Sequence, residues 1–394
     1  MTGVQARNKV IWVLVSNDLT HDQRVLKTCE TLEEAGYLPH LVGRLLPDSH
    51  PAPTRFPCHR LRLSFHRGPC FYAVLQVRLW WFLMHRVRGC GGIWANDLDT
   101  LWPAFSVAKW HRLPLMYDSH ELFTEAAGLT GRPLPKKVWE HVEGHLLPKL
   151  KVMTTVNASI ADVFDQRYGN SRVGRPLVVR NMPRLQKSGS SLPGLGVEEL
   201  TAMGFKPSGG PMGIIQGAFL DADRGVKEAV EVLEVRPEWE LAVVGAGPEW
   251  EWALGEMKRF PGRLHVLPKL PYNALCQITI RADWGFSLDK PVHGNYIMSL
   301  PNKLFDYIHA GIPVVASPMP EVKRIVEDHE TGVLIESHTP RDIASAVELV
   351  LSRPKAFWQQ QCEEAASQLN WEAEEPVIRE VLRRAGFQIF KRVS

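Results

Sequence analysis

The chain of 394 residues lacks any uninterrupted apolar run near the roughly 20 residues that a membrane-spanning helix needs. Its nearest candidate, residues 71–89 ("FYAVLQVRLWWFLMHRVRG"), is broken by Arg78. Cysteine is sparse. The six cysteines are scattered and none stands in C-x-x-C spacing, which fits a reducing compartment better than a disulfide framework. An excess of one charge is also missing, since 46 Lys and Arg against 43 Asp and Glu leave a net +3. With no zinc-finger or RNA-binding signature either, nucleic acid is not an expected partner. There is no G-x-x-x-x-G-K-[ST], hence no P-loop. "VVGAGPEW" (243–250) has two glycines of a G-x-G-x-x-G but Trp250 in place of the third. The first strand runs into "SNDLTHDQR" with no glycine at all, which argues against a nicotinamide dehydrogenase. "MTGVQARNKVIWVLVSNDL" has no small-residue cleavage site, so its apolar run reads as a first strand rather than a signal peptide.

What is present is a soluble globular composition, 45% hydrophobic and 23% charged, in a chain long enough for two ordinary domains. Buried-strand and amphipathic-helix signals alternate almost from end to end, the pattern of parallel sheets covered by helices. "KVIWVLVS", "YLPHLVG", "GGIWAN", "LPLMYDS", "KVMTTVN" and "PLVVRN" predict the strands of a first doubly wound domain. Thr20 and Gln23 predict a capping box that opens its first helix, and Asn157 opens a later one. A Gly/Ser/Pro-rich stretch then breaks the alternation. "MGIIQG", "ELAVVGAG", "RLHVLPKL", "DWGFSLD", "IPVVAS" and "TGVLIE" predict a second domain of the same kind. The expected organisation is 1–183, a linker at 184–211, 212–370, and a C-terminal helix at 371–394 packing back on the first domain. In such α/β folds ligands bind beyond the carboxyl ends of the strands, so the site is expected in a cleft between the sheets.

"SLPNKLFDYIHAGIPVVAS" (299–317) carries the sharpest local signal. At about 100° per residue, Leu304, Phe305 and Ile308 fall on one side of a short helix and Lys303, Asp306 and Tyr307 on the other. A lysine beside a helix start completes an anion site, although a solvated Lys303/Asp306 pair explains the same residues. In "QGAFLDADRGVKEAV" (216–230) a strand ends at Gly217, and Arg224 stands at a second helix start; the two cations together suit a diphosphate. "YDSHELFTE" places Asp118, His120 and Glu121 after a strand of the first domain. "NDLDT" sets Asp97 and Asp99 in D-x-D spacing, readable as a cation pair or as a polar strand end with Asp99 as a helix cap. His141 and His145 lie one turn apart with no third ligand nearby, so no metal site is expected. Residues 71–89 read either as a partly buried helix or as an interfacial one, because Trp80, Trp81, Arg86 and Arg88 are headgroup-level types.

These pieces in this order resemble the retaining GT-B glycosyltransferases of the group 1 class (family 4) over nearly the whole chain, most specifically at 299–317. The resemblance implies two Rossmann-like α/β domains facing across a cleft, with the C-terminal helix returning to the first. It implies transfer of a sugar from a UDP- or GDP-type donor to a hydroxyl of a glycan or lipid-linked acceptor, with retention and without a metal or other cofactor. Arg224 and Lys303 would neutralise the leaving diphosphate, and His120 would lie near the transferred sugar. The donor would be held by Asp306 on the ribose, with Gly217, Gly245, Leu267, Ser299 and Asn302. Asn17, Asp18, Asp97 and Glu121 are the acceptor-side candidates. A cytoplasmic location is expected, with peripheral contact at the inner membrane face through 71–89. Three positions depart from the family pattern. Met298 stands where the first acid of an E-x7-E pair falls, Ala218 where an arginine often follows the strand-end glycine, and Asn17 and Asp18 where the first loop has glycines. A nucleotide-sugar epimerase of the same fold and a non-catalytic nucleotide-sugar-binding scaffold are the alternatives.

Overall fold

The computed structural model describes the chain except for residues 1–6, 21, 48, 50, 52–54, 130, 186–196, 293 and 391–394, and except for the side chains of 127, 197 and 198. The described residues form two compact units, 1–181 with 374–394, and 182–373. Residues 186–196 of the expected linker lie outside the described residues.

In the first unit the elements run β1 (Val10–Leu14), α1 (Gln23–Glu34), β2 (Leu38–Leu45), β3 (Cys58–Arg62), α2 (Gly68–Arg86), β4 (Gly92–Asn96), α3 (Leu98–His111), β5 (Leu115–Ser119), α4 (Pro133–Leu146), β6 (Met153–Thr155), α5 (Ala158–Tyr168) and β7 (Leu177–Val178). The sheet order is β3-β2-β1-β4-β5-β6-β7, parallel throughout. Sequence order reverses between β1 and β4, which makes their carboxyl ends the switch point. The edge strand β3 escapes the sequence reading because "CHRLR" is too polar and basic to look like a buried strand; its residues are only half covered.

The second unit runs α6 (Val197–Ala202), β8 (Met212–Gly217), α7 (Val226–Val235), β9 (Glu240–Gly245), α8 (Pro248–Glu256), β10 (Leu264–Pro268), α9 (Tyr272–Thr279), β11 (Trp284–Ser287), α10 (Gly294–Ile297), α11 (Asn302–His309), β12 (Val314–Ala316), α12 (Pro320–Asp328), β13 (Gly332–Leu334), α13 (Pro340–Leu351), α14 (Lys355–Gln368) and α15 (Trp371–Ala385). Its parallel sheet has the order β10-β9-β8-β11-β12-β13, with the switch at β8/β11. Strand alternation divides the apolar side chains between the two faces. Ile215, Val243, Phe286 and Val315 enter one core, and Ile214, Ala242, Val244 and Val314 enter the other.

Helix α15 passes from the second unit into the first at Glu374. Within the first unit its continuation is tied down at several points. Arg379 meets Glu34 at 3.8 Å, Tyr37 donates its hydroxyl proton to the Gln388 carbonyl, and the Phe387 ring occupies the space beside Gly92 that any side chain there would fill.

Two local expectations are corrected. The Thr20/Gln23 capping box does not form. Thr20 donates its hydroxyl and amide to Asp18 instead, and Asp22 is the cap of α1, accepting from the Val25 amide at 3.1 Å. Tyr307 is not on the polar side of its helix but fully buried. Its ring lies on Gly285, where a Cβ would come within 2.4 Å of it, and its hydroxyl donates to the Phe286 carbonyl at 3.2 Å. Lys303 is buried beside it, because residues four apart share a helix face. Only Asp306 keeps the outward position expected of all three.

Candidate active site

In the second unit the site is built around Asp289, two residues beyond β11 and buried. Lys303, in the first turn of α11, reaches its Oδ2 at 3.3 Å, and Arg224 reaches its Oδ1 at 2.9 Å. Arg224 is presented by the turn before α7, where Gly225 at φ +73° packs so closely that a Cβ would lie 2.4 Å from the Leu288 side chain. The guanidinium lies over the Tyr296 ring at 4.6 Å, and Asp221 flanks it at 3.9 Å while accepting a 2.7 Å bond from the Tyr296 hydroxyl. Burial alone would push the Asp289 carboxyl up; the charges of Lys303 and then Arg224 outweigh it and hold the group below the usual range. Lys303 moves the other way, lowered by burial, with Asp289 opposing the shift. Arg224 is raised because Asp289 outweighs its desolvation.

A second cluster lies on the β8 side of the switch. Gln216 donates to Asp306 Oδ2 at 3.1 Å and accepts from Thr279 at 2.9 Å, while the Tyr272 hydroxyl donates to Asp306 Oδ1 at 2.9 Å. Burial, and then the Asp306 charge, push the Tyr272 phenol up, so it remains a donor. Gly217 and Gly245 end β8 and β9 in register, with the Gly217 carbonyl only 2.1 Å from where a Cβ of Gly245 would be. Leu267 contributes its side chain to the core, and its carbonyl accepts from Trp250 at 2.6 Å. Ser299 precedes α11 with a buried hydroxyl that has no hydrogen-bond partner, and Asn302 opens the helix, exposed. Asp289, Gln216, Tyr272 and Tyr296 were not singled out by sequence. For Asp289 the available signal was a lone acid closing a buried strand, "FSLD".

In the first unit His120 follows β5 and meets three oxygens. Its Nε2 lies 3.3 Å from Asp118 Oδ2 and 3.2 Å from Asn96 Oδ1, and its Nδ1 lies 3.5 Å from Asp97 Oδ2. Its amide donates to Asp97 Oδ1 at 2.9 Å. Asp97 is held at φ +59° before α3. Burial would lower the imidazole pKa, but the Asp97 charge and then Asp118 raise it to about 9, so His120 is an imidazolium at neutral pH. Asp118 is gripped by Arg24 through two bonds of 2.9 and 2.7 Å and by Thr154 at 2.7 Å. Its carboxyl is held well below the usual range despite burial, first by Arg24. Burial and the Asp97 charge push Asp99 and Glu121 each up to about 7.

Asn17 and Asp18 do not join this cluster. Asn17 donates to Asp22 at 2.7 Å and caps the Leu19 amide, and Asp18 accepts from Thr20 and Ser49, so both close the turn after β1. Asp97 takes the N-cap position of α3 that the polar strand-end reading gave to Asp99, while Asp99 is buried in the first turn with one carboxylate oxygen unpartnered. The His141 and His145 rings stack 6.3 Å apart, and among the described residues no group of three or more His, Cys, Asp or Glu is arranged to hold a metal ion. Among the described residues no helix is long and apolar enough to cross a membrane.

Two parallel-sheet Rossmann-like units with their charged side chains at the carboxyl edges have the fold of the GT-B glycosyltransferases. The structural neighbours carry the same fold over almost the whole chain. Sucrose-phosphate synthase from Thermosynechococcus elongatus matches with a TM-score of 0.73 at 18% identity, covering 95% of this chain and 98% of the other. HepE from Anabaena, solved in complex with UDP and glucose, matches at 0.70 and 13%, covering 95% and 99%. Residues 220–353, which contain Arg224, Asp289, Lys303 and Asp306, match the family model described as glycosyl transferases group 1. Glycogen synthase from Mycobacterium tuberculosis H37Rv is 24% identical over 274 residues, 66% of this chain. The chain spans about 60% of the length of the curated relatives it matches. Together these likenesses show the GT-B fold and a resemblance of residues 220–353 to the group 1 glycosyl transferases.

Proposed function

We propose that the protein is a retaining glycosyltransferase that moves a sugar from a UDP- or GDP-type donor to a hydroxyl of a glycan or lipid-linked acceptor, working in the cytoplasm. The observation that carries the reading is Asp289, a buried carboxylate that fixes two cations, Arg224 and Lys303, at the switch point of the second sheet. A diphosphate is the ligand that two cations at adjacent helix starts suit best. Asp306, three residues after Lys303, would take the ribose hydroxyls once Tyr272 or Gln216 gives way. The first unit carries the acceptor side, and there the His120 imidazolium would donate to a sugar oxygen once its Nδ1 gives up the 3.5 Å contact with Asp97, while its raised pKa disfavours a role as base at neutral pH.

The acceptor oxygen attacks the anomeric carbon on the face from which the diphosphate departs. The bond from that carbon to the phosphate oxygen breaks as the new glycosidic bond forms, and a phosphate oxygen takes the hydroxyl proton. Arg224 and Lys303 would stabilise the charge that builds on the leaving group, so the reading expects turnover in the presence of chelator. It is tested by thermal stabilisation with UDP, GDP, ADP and their sugars. A nucleotide at about 100 times its dissociation constant adds roughly 2.7 kcal/mol to the wild type. Loss of that stabilisation in Arg224→Gln and in Asp306→Ala is expected. Stabilisation only in the presence of metal, or unchanged in both variants, would refute the assignment.

A further inference from the structure

Helices α2, α3 and α4 follow β3, β4 and β5, whose connections all run the same way across the first sheet, so right-handed crossovers place the three on one face. They pack side by side, α2 on α3 and α3 on α4. The inner row of α2 is apolar and buried, with Phe71, Leu75, Leu79 and Phe82. Its outer row is not what a solvated helix presents. Val77 is 62% exposed and Trp81 58%; on α3 Trp102 is 44% and Trp110 77%; on α4 Leu134 is 76% and Val138 61%. Single exposed apolar residues are ordinary, but six in the outer rows of three adjoining helices are not. The same helices carry exposed Arg78, Arg86, Lys109 and Lys137. Of the acids on these helices Asp99 and Glu143 are buried, leaving Glu140 as the exposed one.

We propose that this three-helix face docks on an anionic lipid surface. Tryptophans and short aliphatics protruding among arginines and lysines match the boundary between headgroups and acyl chains, where the rings lie at headgroup depth and the cations meet lipid phosphates. No span is involved, since α2 keeps its other row in the protein core. A second copy of the chain is the poorer occupant. A twofold contact would set this basic face against itself, bringing like charges together with little acid to offset them. Residues 71–89 contribute one of the three helices of this face; Trp102, Trp110, Leu134 and Val138 lie on the other two.

The test is flotation of the full chain with phosphatidylcholine vesicles, with and without phosphatidylglycerol. The wild type is expected to float with the anionic vesicles and to be released by salt. Trp81→Ser/Trp110→Ser and Arg78→Glu/Lys109→Glu/Lys137→Glu should each weaken binding at least about tenfold. All of these side chains are exposed, so unchanged melting and unchanged nucleotide stabilisation are expected in both variants, which separates this surface from the donor site. Absence of flotation at low salt overturns the proposal. So does flotation equal in all variants, or a dimer in solution that the tryptophan variant dissociates.

Discussion

The two units carry the same electrostatic device in two versions. Each holds a nearly buried cation–carboxylate pair beside one that is 20–32% exposed. In the first unit the inner pair is Arg24–Asp118, with side chains 4% and 1% exposed, and the outer pair is His120–Asp97. In the second the inner pair is Lys303–Asp289, 8% and 2% exposed, and the outer pair is Arg224–Asp221. They differ in what the inner cation has left to offer. Arg24 uses two donors on Asp118 and a third on the Val179 carbonyl, so it is closed on the protein. Asp289 is divided between two cations, one oxygen each, which leaves both cations with donors to spare. A buried ion pair closed on itself reads as a strut. One acid divided between two cations reads as a holder for a polyanion.

The largest effect should come from emptying that holder. Arg224→Gln/Lys303→Met is expected to lower transfer by at least a thousandfold, about 4 kcal/mol of transition-state stabilisation, measured by single-turnover donor consumption. A loss below tenfold would end the distinction between strut and holder. Next is the strut itself. Asp118→Ala strands Arg24 in the interior and should cost about 3–5 kcal/mol in urea unfolding, whereas a loss of under 1 kcal/mol would mean that the pair is not structurally closed.

The outer pairs differ in titration. The His120 pKa, near 6.5 when unfolded, rises to about 9 in the fold, so its contribution is fully present below pH 6.5 and disappears as pH climbs through 9. That contribution is on the order of 3 kcal/mol, and His120→Gln should flatten the stability profile over this window. Arg224 does not titrate there, so Arg224→Gln should leave the slope intact. The smallest effect is the stability cost of Lys303→Met. Because Arg224 still pairs with Asp289, it should be about 1–2 kcal/mol, well below that of Asp118→Ala.

Sequence reading did best where a signal is local. Twelve strands were named from short buried runs, and Asn157 caps α5 as expected, its side chain accepting from the Ile160 amide at 2.9 Å. It did less well where the decisive neighbour is distant in the chain. Tyr307 looked polar because nothing in its own helix announces that Gly285, 22 positions earlier, leaves room for its ring. Arg24 carries no local signal of its role, because its partner Asp118 is 94 residues away. Lys303 and Arg224 were both recognised as cations at helix starts, but the acid that joins them was quoted only as the end of a strand. Positions that bear charge could be read; which oxygen each one meets depends on the folded sheet.

The return of residues 374–390 to the first unit also bears on how the protein is made. A ribosome releases the whole of 1–181 long before the segment that covers Gly92 and ties to Tyr37 and Glu34. At ordinary elongation rates the wait is on the order of ten to forty seconds. During it the nascent first unit must persist with that surface bare, and the second unit can finish folding before the first one does. The order of completion can therefore be the reverse of the order of synthesis.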